Sequence, residues 1–481
     1  MKLSILNKSL RNLTLLVCFT FLSVVLSSNI VIGQNYLDAS FGSDYYSKML
    51  EADRFYKQSN LQKVKQIQRQ VKPEFEPVSE SPQPLGEAKN LPPDSQQYWL
   101  TANQALAQNL TEKDVIKDEI LKPLENLVEA SPEFVPGHIL LADTQFKLLS
   151  KEKKGLEIIE RASELYPGRD DVLDKKIELL LAEDKPLEAS IAARQFAYSY
   201  PDYYKSSEYE KAADEYYQQF QEDLKSQKDL KIIGGTIGQA ATGNEAGAIN
   251  LGSMLLSSES EAGQSLADDY KSKSVMVSNA DKLKYINDIG QKLASLMGRE
   301  EFAYEFNIVE DPNPNAFALP GGKIFIHTGM LQLMDSEAEL AGLLSHEIAH
   351  FVLSHGYKKL ADSALVSVGG GILSELTGIG NGFMDIGGML LNKEFSRDKE
   401  KEADILGLRV LDAADYSADG LYNVMAKLKQ LEGESNFATS LLSTHPASEE
   451  RMRYLEELIQ TKGYNRYAYE GVEAYRQVFP N

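Results

Sequence analysis

Among the six histidines in this 481-residue chain, two stand four apart in His346-Glu347-Ile348-Ala349-His350. On a helix, residues i and i+4 lie one above the other, so both imidazoles reach one point in space. Glu347 is rotated off that line but can still reach a water held at the same point. This pattern supplies two metal ligands and a general base, the parts of a zinc hydrolase. The competing reading is an amphipathic helix with incidental histidines. A second stretch, Phe395–Gly407 (FSRDKEKEADILG), is also helical in pattern and sets Glu400 and Asp404 one turn apart on one face. A catalytic zinc takes three protein ligands and an open position, and two His plus one Glu is a known set. Glu400 is the candidate third ligand. Asp404 can accept the free N–H of a ligand histidine and fix its tautomer. Against this, every residue from Arg397 to Asp404 except Ala403 is charged, which suits a solvated face equally well.

Such ligands need a rigid mount. Leu340, Leu343, Leu344, Ile348 and Phe351 predict a largely buried helix over Ser336–His355. Ahead of it, Phe302, Tyr304, Phe306 and Ile308 alternate as in a half-buried strand, and Lys323–His327 (KIFIH) follows two turns as a second strand. A helix over Val277–Leu296 precedes this block, and helices over Ala418–Leu431 and Ser448–Thr461 close it. His327 is a strand-end residue and His355 closes the active helix, where a cation suits the dipole; His138 reads as a surface or capping residue of a helical region upstream.

That upstream region, about Ser95–Leu224, is helical throughout in pattern. Pro132, Pro167 and Pro201 end successive runs, spaced 35 and 34 residues apart, which is the period of tetratricopeptide helix pairs. The pattern lacks the Trp and Gly landmarks of such repeats, and a generic helical bundle is the alternative. Ser43–Val71 predicts a helical hairpin, and the proline-dense 71–95 an extended linker. Residues 232–263 are rich in Gly, Ala and Ser and read as a connector.

Lys2, Lys8 and Arg11, the apolar run Leu13–Leu26, and Val31 and Gly33 before Gln34 have the order of a secretory signal peptide. The run falls short of the roughly 20 apolar residues that span a bilayer. Cys18, the sole cysteine, lies inside it, so a processed chain must build any metal site from His and carboxylates. The net charge of −21 and the absence of a basic patch exclude a nucleic-acid-binding role.

The runs HEIAH, SRDKEKEAD and THPASEER together resemble zinc metallopeptidase family M48, which includes prenyl-protein endopeptidases and periplasmic quality-control proteases. The resemblance covers about Ser265–Thr461 and leaves the helical region upstream unexplained. It implies a gluzincin-type domain with one zinc per chain on His346, His350 and Glu400, with Asp404 behind them and Glu347 as base. The segment from Asn315 to Phe325 resembles the family's strand ahead of the active helix. His445-Pro446 with Arg451 resembles its C-terminal motif, in which the histidine either assists the oxyanion or blocks the open site; Arg451 is a second oxyanion candidate. A histidine at a helix start is the plain alternative for His445.

The expected fold is therefore α+β and predominantly helical: signal peptide 1–33, hairpin and linker 34–94, tetratricopeptide-like repeats 95–228, connector 229–264 and peptidase domain 265–481. The expected function is an exported, periplasmic zinc endopeptidase acting on protein or peptide substrates among envelope or misfolded proteins. Ile324, Phe325, Ile326 and His327 are the expected strand for pairing with an extended substrate. The alternative is a latent or scaffold-like protein whose repeats hold clients or an envelope complex, with membrane association not required.

Overall fold

A computed structural model describes residues 43–75, 77, 83–226, 257–369, 395–432, 445–446 and 448–480. The apolar N-terminal run, Cys18 and most of the Gly/Ala/Ser-rich stretch lie outside the described residues. Within them the protein is predominantly helical with one small sheet.

The N-terminal hairpin pairs α1 (Ser43–Lys57) with α2 (Leu61–Gln68), which Asn60 caps by accepting the Lys63 amide. It packs on the peptidase end of the chain. Tyr46 donates to Asp335 at 2.5 Å, Asp53 accepts the amides of Glu470 and Val472, and Gln68 donates to the Ala468 carbonyl. The proline-dense segment is anchored at both ends: Phe75 packs on Tyr422, and Leu85 bridges Phe134. It is not a free linker.

Next come α3 (Pro93–Leu106), then α4 (Lys122–Ala130), α5 (Val135–Asp143), α6 (Glu152–Leu165), α7 (Asp170–Ala182), α8 (Pro186–Ser199) and α9 (Ser206–Ser226). Pro132, Pro167 and Pro201 all fall in turns between helices, where a missing N–H costs nothing. Leu156, Ile159, Leu173, Ile177, Ala189 and Phe196 close a common core between successive helices. Tyr166 donates to the Pro132 carbonyl at 2.7 Å, tying one helix pair to the next. His138 is buried against the same carbonyl and is not a surface residue. The far end of this array shares a core with the sheet: Leu187, Ile191, Phe220 and Leu224 pack with Phe317, Phe325 and Tyr357.

The peptidase region opens with α10 (Glu259–Lys273), started by a reciprocal Ser258–Glu261 capping box, and α11 (Ala280–Ala294), capped by Asn279. The sheet has strands β1 (Glu305–Val309), β2 (Ala316–Leu319) and β3 (Lys323–His327) in the order β1-β3-β2. β3 pairs with β1 in parallel and with β2 antiparallel, and all five of its residues are buried. Ile324, Phe325, Ile326 and His327 therefore have no free edge to offer a substrate. Their unbroken apolar run belongs to a central strand covered on both faces. The edge strands are β1, bridged by Met276 at Val309, and β2, which no further strand pairs among the described residues.

Then come α12 (Thr328–Leu333) and α13 (Glu337–Val352), whose N-cap Ser336 accepts the Glu339 amide. Every residue of α13 from Ala338 to Val352 is buried, so the helix runs through the middle of the core. The chain does not continue helically to His355. Ser354 takes φ 56°, and α14 (His355–Gly369) begins one residue later. The remaining helices are α15 (Arg397–Ala413), α16 (Gly420–Glu432), α17 (Glu449–Lys462) and α18 (Val472–Val478).

The hairpin is locked onto this domain by Lys72, whose buried ammonium meets Asp419 at 2.8 Å, Glu470 at 2.5 Å and Ser417 Oγ at 2.7 Å. Removing the cation strips the buried Glu470 of its ion pair and leaves Asp419 with Arg466 alone. Lys72→Met should cost about 3–5 kcal/mol in chemical denaturation, and it should expose the hairpin to limited proteolysis before the rest of the domain.

Candidate active site

α13 and α15 cross so closely that a Cβ on Gly407 would lie 3.2 Å from the His346 amide nitrogen. That approach brings Glu400, at the start of α15, against both histidines of α13. The pairing is tight: His346 Nε2 lies 3.1 Å from His350 Nε2 and 3.6 Å from Glu400 Oε2, and His350 Nε2 lies 3.3 Å from Glu400 Oε1. His445, on the segment before α17, completes the group, with Nδ1 2.8 Å from Glu400 Oε1 and 3.3 Å from His346 Nε2. All four are buried, with one donor atom from each lying within 4.8 Å of the others.

This donor set fits a zinc ion. Zinc with bonds of about 2.0–2.2 Å in tetrahedral array separates its donors by roughly 3.3–3.6 Å, close to the spacings above. Charge agrees. The buried Glu347, Glu400 and Asp404 face the Arg451 guanidinium, an imbalance that a divalent cation relieves. Glu347 Oε1 is buried without a hydrogen-bond partner and 3.8 Å from His445 Nε2, so a hydrogen-bonding group can still be received there.

Asp404 meets His346 Nδ1 at 2.9 Å, which leaves Nε2 of that ring to the ligand group. Arg451 holds Asp404 bidentately, Nε to Oδ2 at 2.9 Å and Nη2 to Oδ1 at 2.8 Å, and its Nη1 meets Glu400 Oε2 at 2.5 Å. Its Nη2 also lies 3.3 Å from His346 Nε2. Its guanidinium meets two carboxylates and the His346 ring and is not among the residues that line the cleft described below. His327 also lies elsewhere, near Asn313 and Tyr270.

Burial and charge set the protonation states. Burial raises the proton affinity of Glu347 above the ordinary carboxylate value, against the pull of His445 and His346. Burial would do the same to Glu400, but His445, Arg451 and its two histidine contacts hold it well below that range. His350 is driven well down by burial, so it stays neutral and its lone pair is available. For His346, burial and Arg451 both push downward, yet Asp404 and Glu400 outweigh them and lift it to about 9.

The cleft beside the group is lined by Asn315, Phe317, Ala318, Leu319, Glu347, His350, Phe395 and His445, so β2 forms one wall. Two neighbours were hidden in the sequence. Phe395 stacks on the His350 ring, centroids 4.2 Å apart. His355 turns back to face His350, Nδ1 to Nδ1 at 3.0 Å. Five residues along an unbroken helix, it would point away from His350; the Ser354 break reverses it. As the first residue of α14 it gains nothing from a helix C-terminus, and burial pushes its imidazole down to about 4.

A histidine pair one helical turn apart, a glutamate from a second helix and a buried carboxylate beside the pair define a metallopeptidase-type centre. Residues 280–459 match the model of peptidase family M48, a zinc-dependent family. The chain is 32% identical over 200 residues to the mitochondrial metalloendopeptidase OMA1 of Schizosaccharomyces pombe, a match covering 41% of this chain and 58% of that protein. It is 26% identical over 240 residues to the beta-barrel assembly-enhancing protease of Escherichia coli, covering 46% and 49% respectively. The chain thus spans about half the length of the curated relatives it matches.

A metal must displace the His346 proton below about pH 9. Zinc affinity should therefore rise with pH, by about tenfold per unit between pH 6 and 8 for one displaced proton, and level off above 9. Chelator competition across that range checks it.

Proposed function

We propose that this chain is an exported zinc-dependent endopeptidase, with zinc held by His346, His350 and Glu400 and with Glu347 as general base. The observation that carries this reading is the convergence of those three side chains, from two helices, into one buried group beside an open cleft. Zinc, when bound, supplies Lewis-acid chemistry, acidifying water and polarising a scissile carbonyl. Glu347 takes the proton of the attacking water and delivers it to the leaving amine, and its raised proton affinity suits both transfers. Asp404 holds His346 in one tautomer, and Arg451 holds Asp404 and Glu400 in place. An extended substrate pairs along the free edge of β2, Ala316–Leu319, which borders the cleft. Recognition through backbone hydrogen bonds favours unfolded segments over a fixed sequence.

His445 has two roles open to it, oxyanion donor or fourth ligand. Its Nδ1 stands among the donor atoms at contact distance from Glu400, which favours a closed, latent site. A site with four protein ligands has no position for substrate.

The signal-like order of residues 1–33 supports export, and the similarity to a beta-barrel assembly-enhancing protease supports action on proteins of a Gram-negative-type envelope. No helix among the described residues is long and apolar enough to cross a membrane. The helical array over 95–228 is proposed as tetratricopeptide-like and as the holder of substrate proteins or of a partner complex. The scaffold-only alternative makes no use of the buried ligand group.

Glu347→Gln should leave zinc bound and lower casein cleavage by about 10²–10⁴-fold; retained activity would refute the assigned base. His445→Ala should raise cleavage if that residue closes the site. A fall instead assigns it to the oxyanion.

A further inference from the structure

The two ligand histidines are supported differently. His346 Nδ1 meets the Asp404 carboxylate directly, whereas His350 Nδ1 faces another imidazole, His355 Nδ1, at 3.0 Å. The far nitrogen of that imidazole, His355 Nε2, lies 3.0 Å from Glu402 Oε2, and Lys399 Nζ donates to the same oxygen at 2.9 Å. Both rings are buried. We propose that His355 and Glu402 are positioning residues for the metal ligand His350, acting as a hydrogen-bonded chain that fixes its tautomer and ring plane.

Two imidazole nitrogens at hydrogen-bond distance need one proton between them, and only one arrangement satisfies every atom. A ligand His350 binds through Nε2, so its proton sits on Nδ1 and is donated to His355 Nδ1. The proton of His355 then sits on Nε2 and is donated to Glu402. Glu402 accepts from Lys399 as well, which holds the outer end of the chain. Phe395 stacked on the His350 face restricts the remaining rotation.

The backbone is built to present His355. Ser354 stands at φ 56°, a conformation unfavourable for a non-glycine residue. Its hydroxyl donates to Glu259 at 2.9 Å and accepts from Arg299 at 3.2 Å, and Arg299 also donates to the Val352 carbonyl. This buried Glu259–Arg299 pair clamps the end of α13 and returns His355 toward the ligands. α15 thus contributes three carboxylates to one site: Glu400 to the ligand group, Asp404 behind His346, and Glu402 behind His350 through His355.

The proposal rests on the zinc reading, and the test separates the two. Full-length protein and its variants are loaded with zinc, or with cobalt as a spectroscopic probe, and affinity is measured by chelator competition. His355→Leu should weaken zinc binding ten- to hundredfold and change the cobalt absorption bands, with the thermal unfolding of metal-free protein nearly unmoved. His355→Gln carries an acceptor and a donor on one planar amide and should recover most of the loss. Glu402→Ala should weaken binding in the same direction, and the double variant should be no weaker than the poorer single one. Affinities within twofold of wild type for both single variants would overturn the proposal, as would independent, additive losses. If His355→Leu does not fold, Glu402→Ala and His355→Gln carry the test. Wild-type protein that takes up neither metal would overturn the zinc reading itself.

Discussion

The site depends on the crossing of α13 and α15 at Gly407. With hydrogen in place of a side chain, α15 packs so close to α13 that a Cβ at residue 407 would lie 3.2 Å from the His346 amide nitrogen. A ligand carboxylate is useful only within about 0.5 Å of its productive position. Even a methyl group at residue 407 would force a shift of a few tenths of an ångström, a large share of that tolerance. Gly342 makes the comparable approach on the other side of α13, where a Cβ would lie 2.4 Å from the Leu421 amide. α13 is thus gripped by α15 and α16 at two glycine contacts, which leaves its histidines little freedom.

Burying so many ionisable groups is expensive unless each is paired. The structure meets that requirement by sharing partners. Asp404 serves His346 and Arg451, while Glu400 serves Arg451 and the ligand histidines. The Arg451 guanidinium meets two of the three carboxylates, Asp404 and Glu400. Glu347 lacks such a partner. Burial raises its proton affinity, which suits the base role proposed for it.

The parts of the chain outside the family match are not appendages. The hairpin inserts Lys72 among Asp419 and Glu470, and the last helices of the upstream array close the core behind β3 through Phe220 and Leu224. The sheet whose edge borders the cleft is supported from behind by that array. Engagement of the array and the geometry of the cleft wall thus share one packed core.

Much of the centre was legible in the amino-acid sequence because its information is local. The i, i+4 spacing of His346 and His350, and of Glu400 and Asp404, follows from helical pitch alone, and Ser336 and Ser448 mark helix starts by their own side chains. What distance along the chain conceals was decided by tertiary structure. Which strands stand at an edge depends on sheet order, and that order puts β2 at an edge beside the cleft while covering Ile324–His327 on both sides. Arg451 could be placed near the site by motif, but only packing shows its fork turned to Asp404 and Glu400. His355 falls off the ligand face of any continuous helix. It reaches His350 only because a buried ion pair from two distant segments holds Ser354 in a left-handed turn, and no periodicity encodes a turn stabilised from elsewhere.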